Sequence, residues 1–310
     1  MAAHRQIHTL KGNMSSLLVV GSVAFDTIHN HLGSHERVIG GSATYASLAA
    51  SQLAAVRLVG VVGKDFPREA VDMLRSRGID TTGLEVANGE TFHWEGRYSD
   101  DLTSRETIQT DLNVFADFNP KIPGAFRDSE FVMLGNIAPQ LQLHVLEQID
   151  NPKLVIADTM NLWIDTALDP LKEVLARVDI LVINEEEARQ LTGFHHPLAV
   201  AEALRTFGPE TVIVKRGEYG ALLFLEEDIF CAPAYPLKAV ADPTGAGDSF
   251  AGGFLGYLAE NGHNDLRQAV ICGSATASFC VQDVGTGALQ DLSREHLEKR
   301  IHDFRELTCF

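Results

Sequence analysis

Residues 242–250 (DPTGAGDSF) place a proline-led turn, two glycines and an acid within nine positions. Gly245 and Gly247 remove Cβ obstruction, so successive backbone N–H groups can point into one concavity. Asp248 then opens an apolar helix carrying Phe250, Phe254, Leu255 and Leu258. The helix N-terminus adds partial positive charge at the same place. That combination suits a phosphoryl group passing through a charged transition state. The amides of this turn would hold the phosphate while Asp248 takes the proton of an attacking alcohol. A glycine turn before an aspartate is also an ordinary capped helix, so the rest of the chain has to support the reading.

Other residues are candidates to serve the same crevice. The run VVGSVAFDTI (19–28) leads from an apolar strand into Asp26. An acid beyond the carboxyl end of a parallel strand lies where open α/β sheets bind ligands, and its two oxygens can accept from adjacent hydroxyls. Asn136 in LGNIAP, and Asp158 and Asn161 in ADTMNLW, also follow strands, as specificity residues or as structural ones. NEEEARQLTG (184–193) is a strand end followed by an acidic first helical turn, and VIVKRGEYGALLF (212–224) reads as two strands around a charged turn.

Strands and helices must position these groups. Continuous apolar, β-branched runs at 17–21, 56–62, 131–134, 154–158, 179–183, 211–215 and 221–225 suit a sheet covered on both faces. Helical segments are expected near 42–54, 67–77, 140–149, 166–176, 185–191, 198–207, 248–260 and 265–282. The alternation predicts an α/β fold with a doubly wound, mostly parallel central sheet. Residues 85–118 break the rhythm: polar, spiked with aromatics and alternating, they read as antiparallel strands that leave the main sheet. Together with strands within 23–39 they would form a small β-sheet lid. The main domain is expected over 17–310, with 1–16 a loose leader.

Composition narrows the partners. The 310 residues are 45% hydrophobic and carry 25 basic against 42 acidic side chains, a formal charge of −17. Such a surface repels nucleic acid, although a local pocket can still bind an anionic nucleotide. The cysteines (231, 272, 280 and 309) form no C-x-x-C pair or zinc spacing, and the histidines are scattered. No apolar stretch approaches the ~20 residues of a membrane helix, and residues 1–16 lack the apolar core of a secretory signal. A cytoplasmic protein with idle thiols is expected.

The string DPTGAGDSFAGGFLGYLA resembles the C-terminal signature of the ribokinase-like, or PfkB, family of carbohydrate kinases, and the similarity runs from about residue 17 to the C-terminus. The resemblance implies a nine-stranded α/β core with a β lid, ATP as donor and in-line transfer to a sugar-type hydroxyl. It assigns the base to Asp248 and the anion hole to Gly245, Ala246 and Gly247. Asn184 and Glu187 match an N-x-x-E element that organises Mg2+ and its waters. Lys215, Gly217 and Gly220 fall in the nucleotide-binding strand–turn–strand. Asp26 occupies the place of a substrate-gripping acid, and Gly40 and Gly41 that of a diglycine hinge. The helix of small residues at 273–287 borders adenine and often a monovalent cation, and Asp242 and Thr244 could join that ion, K+, although the need for it stays open. Many members carry an Asn shortly after the diglycine. Here Thr44 and Tyr45 stand there, and Tyr45 could stack on a substrate ring or narrow the pocket. A homodimer through the lid is left open too.

Two substrate readings follow. In one the acceptor is a sugar, polyol or similar alcohol. In the other it is a nucleoside, with Tyr45, Phe92 and Trp94 available for stacking. Arg97 and Arg105 could meet an anionic substrate. A catalytically silent binding protein would lack the base, the glycines or the N-x-x-E, and all are present. GSVAFD lacks the G-x-G-x-x-G of a dinucleotide site, and no P-loop string occurs.

Overall fold

Residues 15–309 are described here in a computed structural model, so the expected leader falls outside them apart from its last two positions. In chain order the strands are β1 (Ser16–Val20), β2 (Ala24–Asn30), β3 (Gly33–Gly40), β4 (Ala55–Val62), β5 (Asp80–Val86), β6 (His93–Tyr98), β7 (Arg105–Asp111), β8 (Phe131–Leu134), β9 (Leu154–Ala157), β10 (Ile180–Asn184), β11 (Thr211–Lys215), β12 (Ala221–Phe224) and β13 (Ile229–Ala232). The helices are α1 (Ser42–Ala50), α2 (Arg68–Ser76), α3 (Pro139–Leu146), α4 (Asn161–Thr166), α5 (Leu168–Leu175), α6 (Glu185–Thr192), α7 (Pro197–Arg205), α8 (Ala246–Asn261), α9 (Leu266–Cys280), α10 (Gly287–Gln290) and α11 (Arg294–Thr308).

The apolar runs are continuous because each strand feeds two cores. On β1, Leu17 and Val19 join one cluster while Leu18 and Val20 join the other. On β8, Phe131 and Met133 divide from Val132 and Leu134 in the same way. The first cluster draws on α1, α2, α8, α9 and α11, the second on α3, α5, α6 and α7. Each fully buried aliphatic side chain contributes about 1.5–3 kcal/mol, so the sheet's interior is the main source of stability.

Nine strands run in the order β13-β12-β11-β10-β9-β8-β1-β4-β5. Pairings from β11 through to β5 are parallel, and β12 and β13 are added antiparallel at one edge. The order reverses at β1, which has β4 on one side and β8 on the other. This switch point leaves a crevice beyond the carboxyl ends of the strands.

The second sheet has four strands, β3-β2-β6-β7. Residues 85–118 hold the expected antiparallel pair, β6–β7, while β2 and β6, whose pairing the sequence did not specify, are parallel. The cause is that β1 and β5, parallel members of the main sheet, each run on into the lid in the same sense. The irregular region also starts later than expected, since β5 extends to Val86 within the main sheet. The helix expected at 166–176 is α5, and α4 just before it, β13 and α11 had no counterpart in the sequence reading.

Small residues bring α8 close to its neighbours. A Cβ at Gly252 would overlap the Ala46 carbonyl on α1, and one at Gly253 would overlap Thr276 on α9. The close fit fixes the direction of α8 and therefore of its N-terminus.

Candidate active site

The turn before α8 is held by a buried acid. Asp242, fully buried, accepts from the Thr244 amide (2.9 Å) and hydroxyl (2.7 Å) through one oxygen, and from the Gly285 amide (3.3 Å) through the other. Gly245 caps α8 at φ 75°, a left-handed conformation that favours glycine. A Cβ there would overlap the Tyr45 ring. The helix begins at Ala246, two residues ahead of the expected start, so Asp248 lies within its first turn. A Cβ at Gly247 would lie 2.9 Å from the Lys215 ammonium, so the cation sits against the N-terminus of α8.

Lys215 ends β11 and pairs with Asp158 at 3.0 Å. Burial alone would lower the Lys215 pKa, but Asp158, Glu187 and Asp248 outweigh it and raise it. Burial pushes Asp248 up to about 7, Asp158 adds to the shift, and Lys215 and Arg105 oppose it. Glu187 is raised to about 7 as well, by burial and then by Asp158. A carboxyl with a pKa in this range can exchange a proton near neutral pH.

Asn184 and Glu187 form a reciprocal capping box on α6: the Glu187 amide donates to Asn184 Oδ1 (2.8 Å), and the Asn184 amide to Glu187 Oε2 (3.2 Å). Glu187 Oε1 has no hydrogen-bond partner among the described residues and lies in the acidic group. That open oxygen fits indirect contact with a hydrated Mg2+. No group of three or more His, Cys, Asp or Glu side chains among the described residues is arranged to hold a metal alone.

The lid closes the other side. Asp26 lies on β2 and is 5% exposed. Burial, then Asp242 and Asp248, raise its pKa to about 7. A Cβ at Gly40 would overlap its carboxylate, and Gly41 caps α1 at φ 93°. Asp26 is therefore a lid-strand residue, and not simply the end of β1. Beside it in register is Trp94 on β6. The Trp94 indole lies across Gly96, where any Cβ would overlap it, and donates to Thr107 Oγ1 at 3.2 Å. The Arg105 guanidinium stands 5.4 Å from the Trp94 ring centre. Contacts that join lid to core include the Tyr98 and Thr244 hydroxyls at 3.0 Å, Asn30 Nδ2 donating to the Ala241 carbonyl at 3.0 Å, and the Arg37–Asp65 ion pair at 2.7 Å.

Asp26, Asp158, Glu187, Lys215, Asp242, Thr244 and 245–248 thus gather at one end of the sheet. Other candidates lie apart from that cluster. Tyr45, 1% exposed, backs the Gly245 turn from within the core and has no free face for a ligand ring. It is drawn there because α1 is buried along its whole length between the sheet and α8. Asn136 is occupied by Trp163 Nε1, which donates at 2.8 Å, and by its own bond to Met160 Sδ at 3.0 Å. Asn161 opens α4 and is exposed. Gly217 sits at an exposed turn, while Gly220 passes tightly over the Ala232–Pro233 backbone. Phe92 stacks on Phe115, ring centres 5.1 Å apart, inside an aromatic group with Phe118.

Sequence reading missed Tyr98, Asn30 and Gln142. Gln142 Nε2 donates to the Gly135 (3.0 Å) and Asp158 (3.1 Å) carbonyls and so ties the ends of β8 and β9 together. Tyr98 carried a signal, since it shares the period-2 face of Trp94 and Gly96. Gln142 carried none.

Comparison with known proteins agrees with this architecture. The family model described as "pfkB family carbohydrate kinase" matches residues 14–292. A cytidine kinase of Thermococcus kodakarensis is 33% identical over 79% of this chain and 89% of its own. A nucleoside kinase of Methanothermobacter thermautotrophicus is 29% identical over 87% of this chain and 90% of its own. Among solved structures, the Methanocaldococcus jannaschii nucleoside kinase, a member of the ribokinase family, superposes with a TM-score of 0.76 at 22% identity, covering 94% of this chain and 99% of that one. At that identity the likeness shows the fold alone. The chain belongs to the pfkB family of carbohydrate kinases, phosphotransferases whose acceptor is a hydroxyl group.

Proposed function

We propose that the protein transfers the γ-phosphoryl group of ATP to a ribose hydroxyl of a nucleoside. The observation that carries the substrate class is Trp94: an indole held flat on the lid, one strand from Asp26, provides an aromatic surface beside a hydroxyl-gripping acid. Base–aromatic stacking contributes about 1–3 kcal/mol per base. The cytidine and nucleoside kinases among the relatives support the same reading.

Asp26 accepts from the ribose hydroxyls, whose donors stabilise its charged form against burial. Asp248 takes the proton of the attacking hydroxyl as the new O–P bond forms. The bond from the γ-phosphorus to its bridging oxygen breaks, and ADP leaves with that electron pair. The amides at Gly245–Gly247, the positive end of α8 and Lys215 meet the charge on the group in transit. Bound Mg2+ would neutralise phosphate charge, held through water by Glu187 and Asn184. Asp242 and Thr244 are the groups that would face a monovalent cation such as K+. Free thiols at Cys231, Cys272, Cys280 and Cys309 suit a reducing, ATP-supplied cytoplasm.

The test is ATP consumption across nucleosides, pentoses, hexoses, inositols and sugar phosphates. Nucleosides are expected to exceed free ribose in kcat/KM by about 5- to 150-fold, the value of one stacked base. Turnover of free sugars alone would overturn the nucleoside reading, and no ATP-dependent turnover of any alcohol would overturn the kinase reading.

A further inference from the structure

We propose that Asp158 is a positioning residue, which holds the Lys215 ammonium over the N-terminus of α8 so that this cation meets the phosphoryl group in transit. The proposal rests on the kinase reading above and reassigns Asp158, whose sequence position suggested a grip on the substrate.

Three observations carry it. First, both Asp158 oxygens are already engaged by the protein. Its Oδ2 accepts from Lys215 Nζ at 3.0 Å and its Oδ1 from the Thr159 amide at 2.9 Å. The residue is 6% exposed. Second, Asp158 is rigidly mounted. It follows β9 directly, its amide donates to the Leu134 carbonyl (3.0 Å), and its own carbonyl accepts from Gln142 (3.1 Å). Third, Lys215 reaches the α8 terminus where Gly247 leaves room for it: any Cβ there would lie 2.9 Å from Nζ. A lysine is a flexible point charge, and its placement depends on what anchors it. Here the anchor comes from β9, while Glu187 on α6 and Asp248 on α8 supply further negative charge. Lys215 is thus anchored by its contact with Asp158, with negative charge from two further core elements around it.

Asp158 and Lys215 touching each other also means that either change alone strands a buried charge. The test is therefore a double-mutant cycle on the full chain: Asp158→Asn, Lys215→Met and the pair together, with Asp158→Glu as the conservative variant. Equilibrium binding of ATP and of ADP, measured without any acceptor, is read beside steady-state kinetics and melting temperature. Loss of Lys215 is expected to weaken ATP about 10-fold more than ADP, because the cation serves the terminal phosphate. Asp158→Asn should reproduce part of that discrimination and lower kcat by about 10- to 100-fold, short of the ~10²- to 10³-fold lost with a direct donor. The alcohol's KM should hold. The double variant should fall no lower than Lys215→Met, the non-additivity of residues acting as one unit, and Asp158→Glu should restore much of kcat.

A rise in the alcohol's KM with kcat preserved would return Asp158 to the substrate. Additive losses in the cycle, or an unchanged ATP-to-ADP preference in Asp158→Asn, would equally overturn the proposal. If Asp158→Asn does not fold, ATP discrimination in Asp158→Glu and in the double variant decides between the same two outcomes. Failure of the wild type to phosphorylate any alcohol would strike the kinase reading, while nucleotide binding would still test the pair.

Discussion

The turn at 242–248 and the lid sheet face each other across one crevice and are built in opposite ways. The turn is braced from behind: Asp242 ties it through three hydrogen bonds, Tyr45 backs Gly245, and close packing of α8 on α1 and α9 fixes its direction. The lid has little core of its own. Much of β7 is exposed, and its described ties to the turn region are single contacts through Tyr98 and Asn30. The comparison teaches a division of labour. A transition-state charge needs dipoles that do not reorganise, and these belong on rigid elements. Substrate entry needs an element that opens at small free-energy cost, and such elements come from the weakly packed end of the stability range.

Substitutions on each side should differ accordingly. The largest effect is expected for Asp248→Asn, about 10²- to 10⁴-fold in kcat with ATP affinity preserved. Near wild-type turnover in that variant would remove Asp248 from the base role and erase the chemical side of the contrast. Gly245→Ala comes next. It combines a disfavoured φ with overlap on Tyr45, so a loss of about 1–3 kcal/mol in stability is expected alongside a fall in kcat. An unaltered melting temperature would mean that the turn is softer than its bracing implies.

On the lid, Trp94→Ala should act on affinity. The nucleoside KM should rise about 5- to 150-fold while kcat changes little, and any turnover of free ribose should be untouched. Equal losses for both acceptors would deny the indole a base-stacking role. Tyr98→Phe removes one hydrogen bond between lid and turn, worth about 0.5–1.5 kcal/mol, so a few-fold rise in KM is expected. A collapse of kcat instead would show that the two regions are one rigid unit.

The pH profile tests both sides together. Burial and acidic neighbours raise Asp248 and Asp26 to about 7, and both must be charged to act. The active form is therefore depleted below that pH and restored above it. Accordingly, kcat/KM, which reports the free enzyme, should climb with pH through about 7 and then level off. A flat profile down to pH 5 would contradict the raised values.

The two regions were also unequally legible from sequence. DPTGAGDSF, NEEE and the apolar runs are contiguous, and each element they announce is local: a glycine turn into a helix, a capping box, a strand covered on two faces. The lid was recognisable as a break in rhythm, but its pairing was not, since the parallel β2–β6 contact depends on where β1 and β5 lie in the main sheet. Among the aromatics proposed for stacking, the sequence could not separate Tyr45, Phe92 and Trp94. Packing did so, drawing Tyr45 beneath Gly245 and Phe92 against Phe115 while leaving Trp94 on the lid beside Asp26.

By itself the sequence determined the fold class, the family and the string that forms the anion-hole turn, because periodicity and glycine placement act over a few neighbouring residues. Tertiary structure decided which distant side chains share a charge field. Lys215 and Asp158, 57 positions apart, meet only because β9 and β11 both flank β10 and end at the same edge of the sheet. Strand order sets such meetings, and it arises from the burial of the whole sheet between two helical layers, which no local motif records.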